Sequence, residues 1–292
     1  MGSDQRTAAA TALVLGVVAL SAVDTVIVRI LAPDLHPFVI VFFRSLFGLL
    51  WIAPWILRNR QCLSSHYAVM HVVRAGLKML SLAAFFTAIA LATLADVTAI
   101  AFTTPMFVTL GAWVFLNETP VLRRVLAVLL SFIGVFIILQ PGQGEWATPL
   151  LFALAGAVLA AIIQLMLKSM SARDSSDTLV AWNLIATVPM AALPLYWFWS
   201  TPTAGQLLLL SLQGAIGVCN MTLMTRAMAL AESSYLAPFD FLRLPVIALL
   251  GYLFFSEFPT SATVIGAAVI FLSSLLLTGW SARIGISRAD RR

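Results

Sequence analysis

Charge is what this sequence lacks. Lys, Arg, Asp and Glu make up 10% of its 292 residues, where a soluble domain holds about a quarter. That scarcity excludes an ordinary soluble fold. No long polar stretch occurs either, so no soluble domain is expected beside the apolar part. The two cysteines, Cys62 and Cys219, lie far apart without metal or redox spacing and receive no role. Histidine is as rare: His36, His66 and His71 all fall at or near expected helix ends. Neither H-E-x-x-H nor G-x-S-x-G occurs, and no nucleotide-binding domain is present. No catalytic constellation, cofactor or metal is therefore expected, and no hydrolysis of ATP by this chain.

Apolar residues fill the space that charge leaves. They reach 61% of the chain, with a mean hydropathy of +1.01, which implies a polytopic helical membrane protein. A formal charge of +5 in a soluble protein would suggest nucleic acid as a partner. Here the basic residues sit in short connectors and read as topology signals, so no nucleic acid is expected. The first apolar run carries Asp24 and Arg29 and shows no convincing cleavage site, so it is expected to be retained in the membrane.

Ten apolar segments can be drawn, at 8–31, 36–57, 68–91, 95–116, 122–140, 148–168, 178–199, 205–229, 234–255 and 260–281. Each is close to the roughly 20 residues that cross a bilayer. With the N-terminus inside, the cytoplasmic ends hold Arg6, Arg58, Arg60, Arg74, Arg123, Arg124, Lys168, Arg173, Arg226 and the tail Arg283, Arg288, Arg291 and Arg292. The outer connectors hold essentially no basic residue beyond Arg29. This asymmetry predicts an even number of spans with both termini cytoplasmic, in the bacterial inner (plasma) membrane. All eight tryptophans fall near segment ends, as an interfacial belt requires.

An internal repeat aligns Leu20–Arg29 with Leu159–Lys168, an offset of 168 − 29 = 139. The same offset sets Arg44 on Asn183 and Glu118 on Glu257, and one residue of slippage pairs Pro105 with Pro245. The chain divides into halves, 1–142 and 143–292, with five segments in each. An odd number of spans turns the second half upside down. The expected fold is an all-α polytopic membrane protein of ten transmembrane helices, two inverted five-helix repeats around a central cavity.

Ala229–Glu257 is the segment that points to a site. It is almost wholly apolar, yet holds Asp240 and Arg243 in its inner half, flanked by Pro238 and Pro245. An ionised side chain at mid-bilayer costs roughly 2.5–3.5 kcal/mol, so such residues face a cavity or a partner. Prolines free backbone carbonyls, which is tolerated only beside protein or water. The segment reads as one wall of a polar site within the membrane.

Several stretches then resemble a known family. They include Asp24-x4-Arg29, Phe43-Arg44, Ala92 to Pro105, Leu116-Asn-Glu118, Gly134 to Gly142, Ser234 to Asp240, and Gly251-Tyr-x4-Ser-Glu257-x-Pro259. The chain resembles the drug/metabolite transporter superfamily in its EamA-type ten-helix form. Its wording is similar to the branch with riboflavin and S-adenosylmethionine carriers and the animal solute carriers of the 35G type. The resemblance implies a small-molecule carrier whose cavity is lined mainly by helices 1, 3, 4, 6, 8 and 9. It departs from the family pattern at Asp240-Phe-Leu-Arg243, where members often carry a basic or aromatic residue.

Asp24 lies seven residues before the outer end of its segment and Arg44 eight after the outer start of the next. Both are then about 10–12 Å deep at 1.5 Å per residue. They could pair, either as a structural lock or as a coupling or gating ion pair. Lys78, midway along the third segment, needs a carboxylate, a substrate anion or water. Asp240 and Arg243 are spaced i, i+3. They either pair with each other or open to bind the two ends of a zwitterion, with the planar Arg243 fork suited to a carboxylate. The expected substrate-binding residues are Asp240, Arg243, Lys78, Phe102 and Phe239, with the phenylalanines able either to stack on substrate or to pack. Pro105 and Pro245 are expected bending points. Glu118 and Glu257 are expected to cap helices or pair with arginines. Asp24 and Asp240 oppose Arg44, Lys78 and Arg243, a balance of 3 − 2 = +1.

These features predict a secondary transporter that moves a small zwitterionic or anionic metabolite by alternating access. The alternatives are a facilitative exchanger or an exporter without proton coupling, and, more remotely, a membrane enzyme. The expected partners are the bilayer, a small-molecule substrate and possible protons, for a monomer or homodimer.

Overall fold

The computed structural model describes residues 3–115, 122–140, 148–171, 173–230, 236 and 239–278. Glu118, Pro238 and the basic tail lie outside the described residues. The described chain is helical throughout, without strands. The first half holds α1 (Ser3–Leu31), α2 (Pro37–Arg58), α3 (Ala68–Leu91), α4 (Leu94–Ala101), α5 (Thr104–Phe115) and α6 (Leu122–Leu139). The second holds α7 (Thr148–Met170), α8 (Ser176–Ile185), α9 (Thr187–Ala192), α10 (Leu195–Phe198), α11 (Ala204–Leu230), α12 (Arg243–Phe255) and α13 (Ser261–Thr278). Seven spans, counting Leu94–Phe115 as one, are long and apolar enough to cross a membrane, and α12 and α13 are shorter apolar helices. Large apolar side chains such as Phe136, Leu208, Leu253 and Phe254 are exposed on the outside, as lipid contact requires.

Helix ends follow local chemistry. The Thr93 hydroxyl accepts the Asp96 amide at 3.2 Å and the Ser175 hydroxyl accepts the Thr178 amide at 3.2 Å, so both residues act as N-caps. Ser256 ends α12 in the left-handed conformation, at φ 55°. Interior breaks follow proline. Pro105 has no N–H to offer the Ala101 carbonyl, so α4 stops there and the Thr104 hydroxyl donates to that oxygen at 2.8 Å. Pro189 and Pro194 divide 176–198 into α8, α9 and α10 in the same way. Pro245 follows a turn at 241–242 that separates Asp240 from α12.

The halves pack through reciprocal pairs. α1 lies along α11, α3 along α7, and α6 along α13. Asn220 on α11 donates to the Ser21 hydroxyl at 3.2 Å, and Ser81 donates to the Gly156 carbonyl at 2.9 Å. The α6–α13 crossing is tight. A Cβ on Gly134 would stand 2.8 Å from the Gly266 carbonyl and 2.6 Å from Ile270. A Cβ on Gly266 would stand 2.7 Å from the Gly134 carbonyl and 2.5 Å from Ile138. Only glycine permits this approach, as at small-residue crossings in lipid. Ser131 and Ser273 hydroxyls meet at 2.6 Å beside it. Rising numbers on α6 meet falling numbers on α13, so the two helices are antiparallel.

Candidate functional site

A cavity of about 420 Å³ lies between the halves. Thr25, Phe85, Thr98, Phe102 and Pro105 line it from the first half, and Gln164, Asp240, Arg243 and Ile247 from the second. Pro105 lines it, and the interruption just before Pro245 sets Asp240 and Arg243 on its wall. The two interruptions let Phe102 and Asp240 leave the regular helical path and reach its interior.

Asp240 and Arg243 are in loose contact. The nearest carboxylate oxygen is 4.0 Å from Arg243 Nη2, and each side chain is about a quarter exposed, at 28% and 27%. The turn at 241–242 separates them, so they do not share one regular helical face. Arg243 Cζ stands 4.8 Å above the Phe102 ring, a cation–π contact that orients the guanidinium without using its hydrogen bonds. Its buried Nε has no hydrogen-bond partner. Phe102 also stacks on Phe241, with ring centroids 4.1 Å apart and planes 16° apart. A larger recess of about 520 Å³ lies at Phe241, Leu244, Pro245, Ala267 and Phe271. Its walls are apolar except for Thr263, whose hydroxyl donates to Asp96. That recess holds no charge, so the Asp240–Arg243 cavity is the candidate site.

Arg44 Nη2 donates to Asp24 Oδ2 at 3.0 Å, with both side chains mostly buried. Asp24 Oδ1 and Arg44 Nε are buried without partners. Lys78 joins neither Asp240 nor Arg243. It lines a separate chamber of about 60 Å³ with Arg44 and Asn183. Phe239 also lies apart from the cavity, packed against Ala10, Val14, Ala227 and Leu236. The two residues expected beside Asp240 are thus directed elsewhere: Lys78 by its place on the α3 face shared with His71 and Arg74, Phe239 by an apolar cluster that excludes a charged ligand.

Two further polar clusters tie connectors together. Arg29 donates to Glu257 Oε1 at 2.8 Å and to the Ile89 and Ala92 carbonyls at the end of α3. Glu257 Oε2 accepts the Leu94 amide at 2.8 Å. Glu257 therefore both pairs and caps. At the other end of α3, Asp174 accepts from the Ser65 hydroxyl at 2.5 Å and the His66 amide at 2.9 Å, and its carboxylate meets His66 Nδ1 at 3.3 Å and His71 Nε2 at 2.9 Å. Burial alone would raise its pKa, but these hydrogen bonds outweigh it and hold the carboxyl well below the usual carboxylate range. Arg74 can only donate, so its 3.2 Å contact makes His71 Nδ1 an acceptor and puts the His71 proton on Nε2, toward Asp174. Arg74 also donates to the Leu179 carbonyl at 2.8 Å, and His71 stacks on Trp182. Sequence reasoning missed this cluster and read Arg74 only as one of the basic residues at cytoplasmic ends, whereas it is buried in a hydrogen-bond network.

Known proteins resolve the class of the chain. The EamA-like transporter family matches twice, at residues 8–140 and 147–279. The chain belongs to the EamA-like transporter family. It is a multi-pass membrane transporter of the drug/metabolite superfamily, not an enzyme. This EamA-like chain is similar to an S-adenosylmethionine uptake transporter of Rickettsia bellii, 26% identical over 258 residues, covering 88% of this chain and 89% of the relative. It is also similar to a riboflavin transporter of Rhizobium johnstonii, 31% identical over 238 residues, covering 81% and 79%. A solved crystal structure with 18% identity shares the fold, with a TM-score of 0.64 over 96% of this chain and 99% of that one.

Proposed function

We propose that this chain is a secondary active transporter that moves a small zwitterionic or anionic metabolite across the bacterial inner membrane by alternating access. The observation that carries the reading is the cavity of about 420 Å³ walled by both halves, with Asp240 and Arg243 slack inside it. A carboxylate and a guanidinium only 4.0 Å apart suit the two ends of a zwitterion, and Phe102 supplies an apolar wall. The curated relatives are named for two small metabolites, S-adenosylmethionine and riboflavin, which supports a metabolite as cargo.

The reading takes 1–142 and 143–292 as inverted repeats of five helices each, with 94–115 and 176–198 each counted as one broken helix. Reciprocal packing of α1 on α11 and α3 on α7, and the antiparallel α6–α13 crossing, support it. Both termini lie in the cytoplasm. Pro105 and Pro245 are the bending points, and Asp24–Arg44 is the gating pair, which opens or closes as the halves rock. Proton coupling would run through the carboxylates. An exchanger or exporter built on the same cavity is the alternative.

A thermal-shift screen of the purified protein against a metabolite library tests the site. A true substrate stabilises the protein in proportion to RT ln(1 + [L]/Kd). The stabilisation is expected to vanish in Asp240→Asn and Arg243→Gln, and the hit is expected to enter proteoliposomes, with and without a pH gradient distinguishing coupling from exchange. Full binding and transport by both variants would remove the site.

A further inference from the structure

The chamber beside Lys78 holds a basic side chain that the described residues leave without a partner. Lys78 forms no hydrogen bond or ion pair among the described residues, and the charges that bear on it are Arg44 and Arg74. Arg74 is engaged one turn away by His71 and the Leu179 carbonyl. Arg44 has a single hydrogen bond, to Asp24, and its buried Nε has no partner. Arg44 is countered by Asp24, whereas Lys78 has no carboxylate beside it among the described residues. An ammonium there is costly in a bilayer unless an anion accompanies it.

The chamber is also shaped for such a guest. Gly214 and Gly217 of α11 form one wall, and a Cβ on Gly217 would stand 3.3 Å from Arg44 Nη2. Glycine there leaves the guanidinium face open. The Asn183 amide offers donors from α8. The volume is about 60 Å³, room for about four water-sized groups. That accommodates the three heavy atoms of a carboxylate better than a phosphate.

We propose that Arg44, Lys78 and Asn183 form a carboxylate-binding chamber distinct from the Asp240–Arg243 cavity. Asp24 holds Nη2 of the Arg44 fork as a resident anion, and the incoming carboxylate takes Nη1, on the side of Gly217, together with Lys78. The inference rests on the carrier reading in one respect: the carboxylate is assigned to the transported solute, or to a second solute exchanged for it.

The sequence holds only two lysines, Lys78 and Lys168, so a Lys168→Arg protein labelled with [6-13C]lysine gives one side-chain reporter at the chamber. Formate and acetate are expected to shift that resonance saturably, with a dissociation constant of roughly a millimolar, whereas equal concentrations of phosphate and chloride leave it in place. In the same background, Arg44→Gln should weaken carboxylate binding at least tenfold, and Arg243→Gln should not change it. Asp24→Asn should strengthen it about tenfold by freeing the fork, a gain that misfolding cannot imitate. No saturable shift, equal shifts with chloride or phosphate, or unchanged affinity in both Arg44→Gln and Asp24→Asn would overturn the chamber. Loss of the chamber with metabolite transport intact leaves the carrier reading standing. A working chamber in a protein that moves no metabolite removes the carrier reading instead.

Discussion

Asp174 and Asp240 are both carboxylates beside basic partners, and they could hardly be held more differently. Asp174 is almost fully covered and meets four donor groups from Ser65, His66 and His71. Asp240 has one contact at 4.0 Å and remains about a quarter exposed. The first is a saturated network, in which every lone pair is committed and nothing is left for a ligand. The second has hydrogen-bonding capacity to spare, in a cavity between two halves. Saturation marks residues that build the molecule, and slackness marks those positioned to act.

The largest expected effect tests the saturated side. Asp174→Ala strands His71 and Arg74 in a buried setting and should cost about 3–5 kcal/mol, read as a large fall in thermal midpoint. Transport per folded molecule should be unchanged. On the slack side, Arg243→Gln should shift stability by less than about 1 kcal/mol while lowering transport at least tenfold, measured in proteoliposomes at matched protein. A large stability loss there would show that the pair is structural and erase the contrast. The smallest effect is in acid. Because the folded state depresses the Asp174 pKa, its contribution is fully present above the unfolded value near about pH 4 and fades as pH falls below it. The gap in melting temperature between the parent protein and Asp174→Asn should hold from about pH 7 to 5 and narrow below about pH 4. A constant gap down to about pH 2 would mean that the carboxylate charge does not hold the cluster.

Much of this architecture was legible in the residues. Runs of apolar residues located seven of the ten expected spans to within a few positions, because in a bilayer the backbone must satisfy itself. The segment at 178–199 instead holds three short helices, and 243–255 and 261–278 are shorter apolar helices. Matching depth anticipated the Asp24–Arg44 contact, since two charges at one level in lipid have few other partners. Proline placed the interruptions near Phe102 and Asp240. What eluded the sequence was lateral position. Lys78 and Asp240 line two different chambers, a separation that counting along either helix does not give. The Asp174 cluster escaped for a related reason: its members lie more than a hundred positions apart along the chain, and two of them are histidines with no motif around them. Depth can be counted along a helix, whereas rotation about its axis depends on which neighbour it meets.

The α6–α13 crossing has a consequence for substitution. Each helix offers the other a glycine followed four positions later by isoleucine, Gly134 with Ile138 and Gly266 with Ile270. The repeat offset of 139 nevertheless sets Gly134 on Ser273 and Ala127 on Gly266, so the two glycines are not copies of one position. Each half supplies its own glycine at its own level, and a methyl group on either one would have to push two backbones apart.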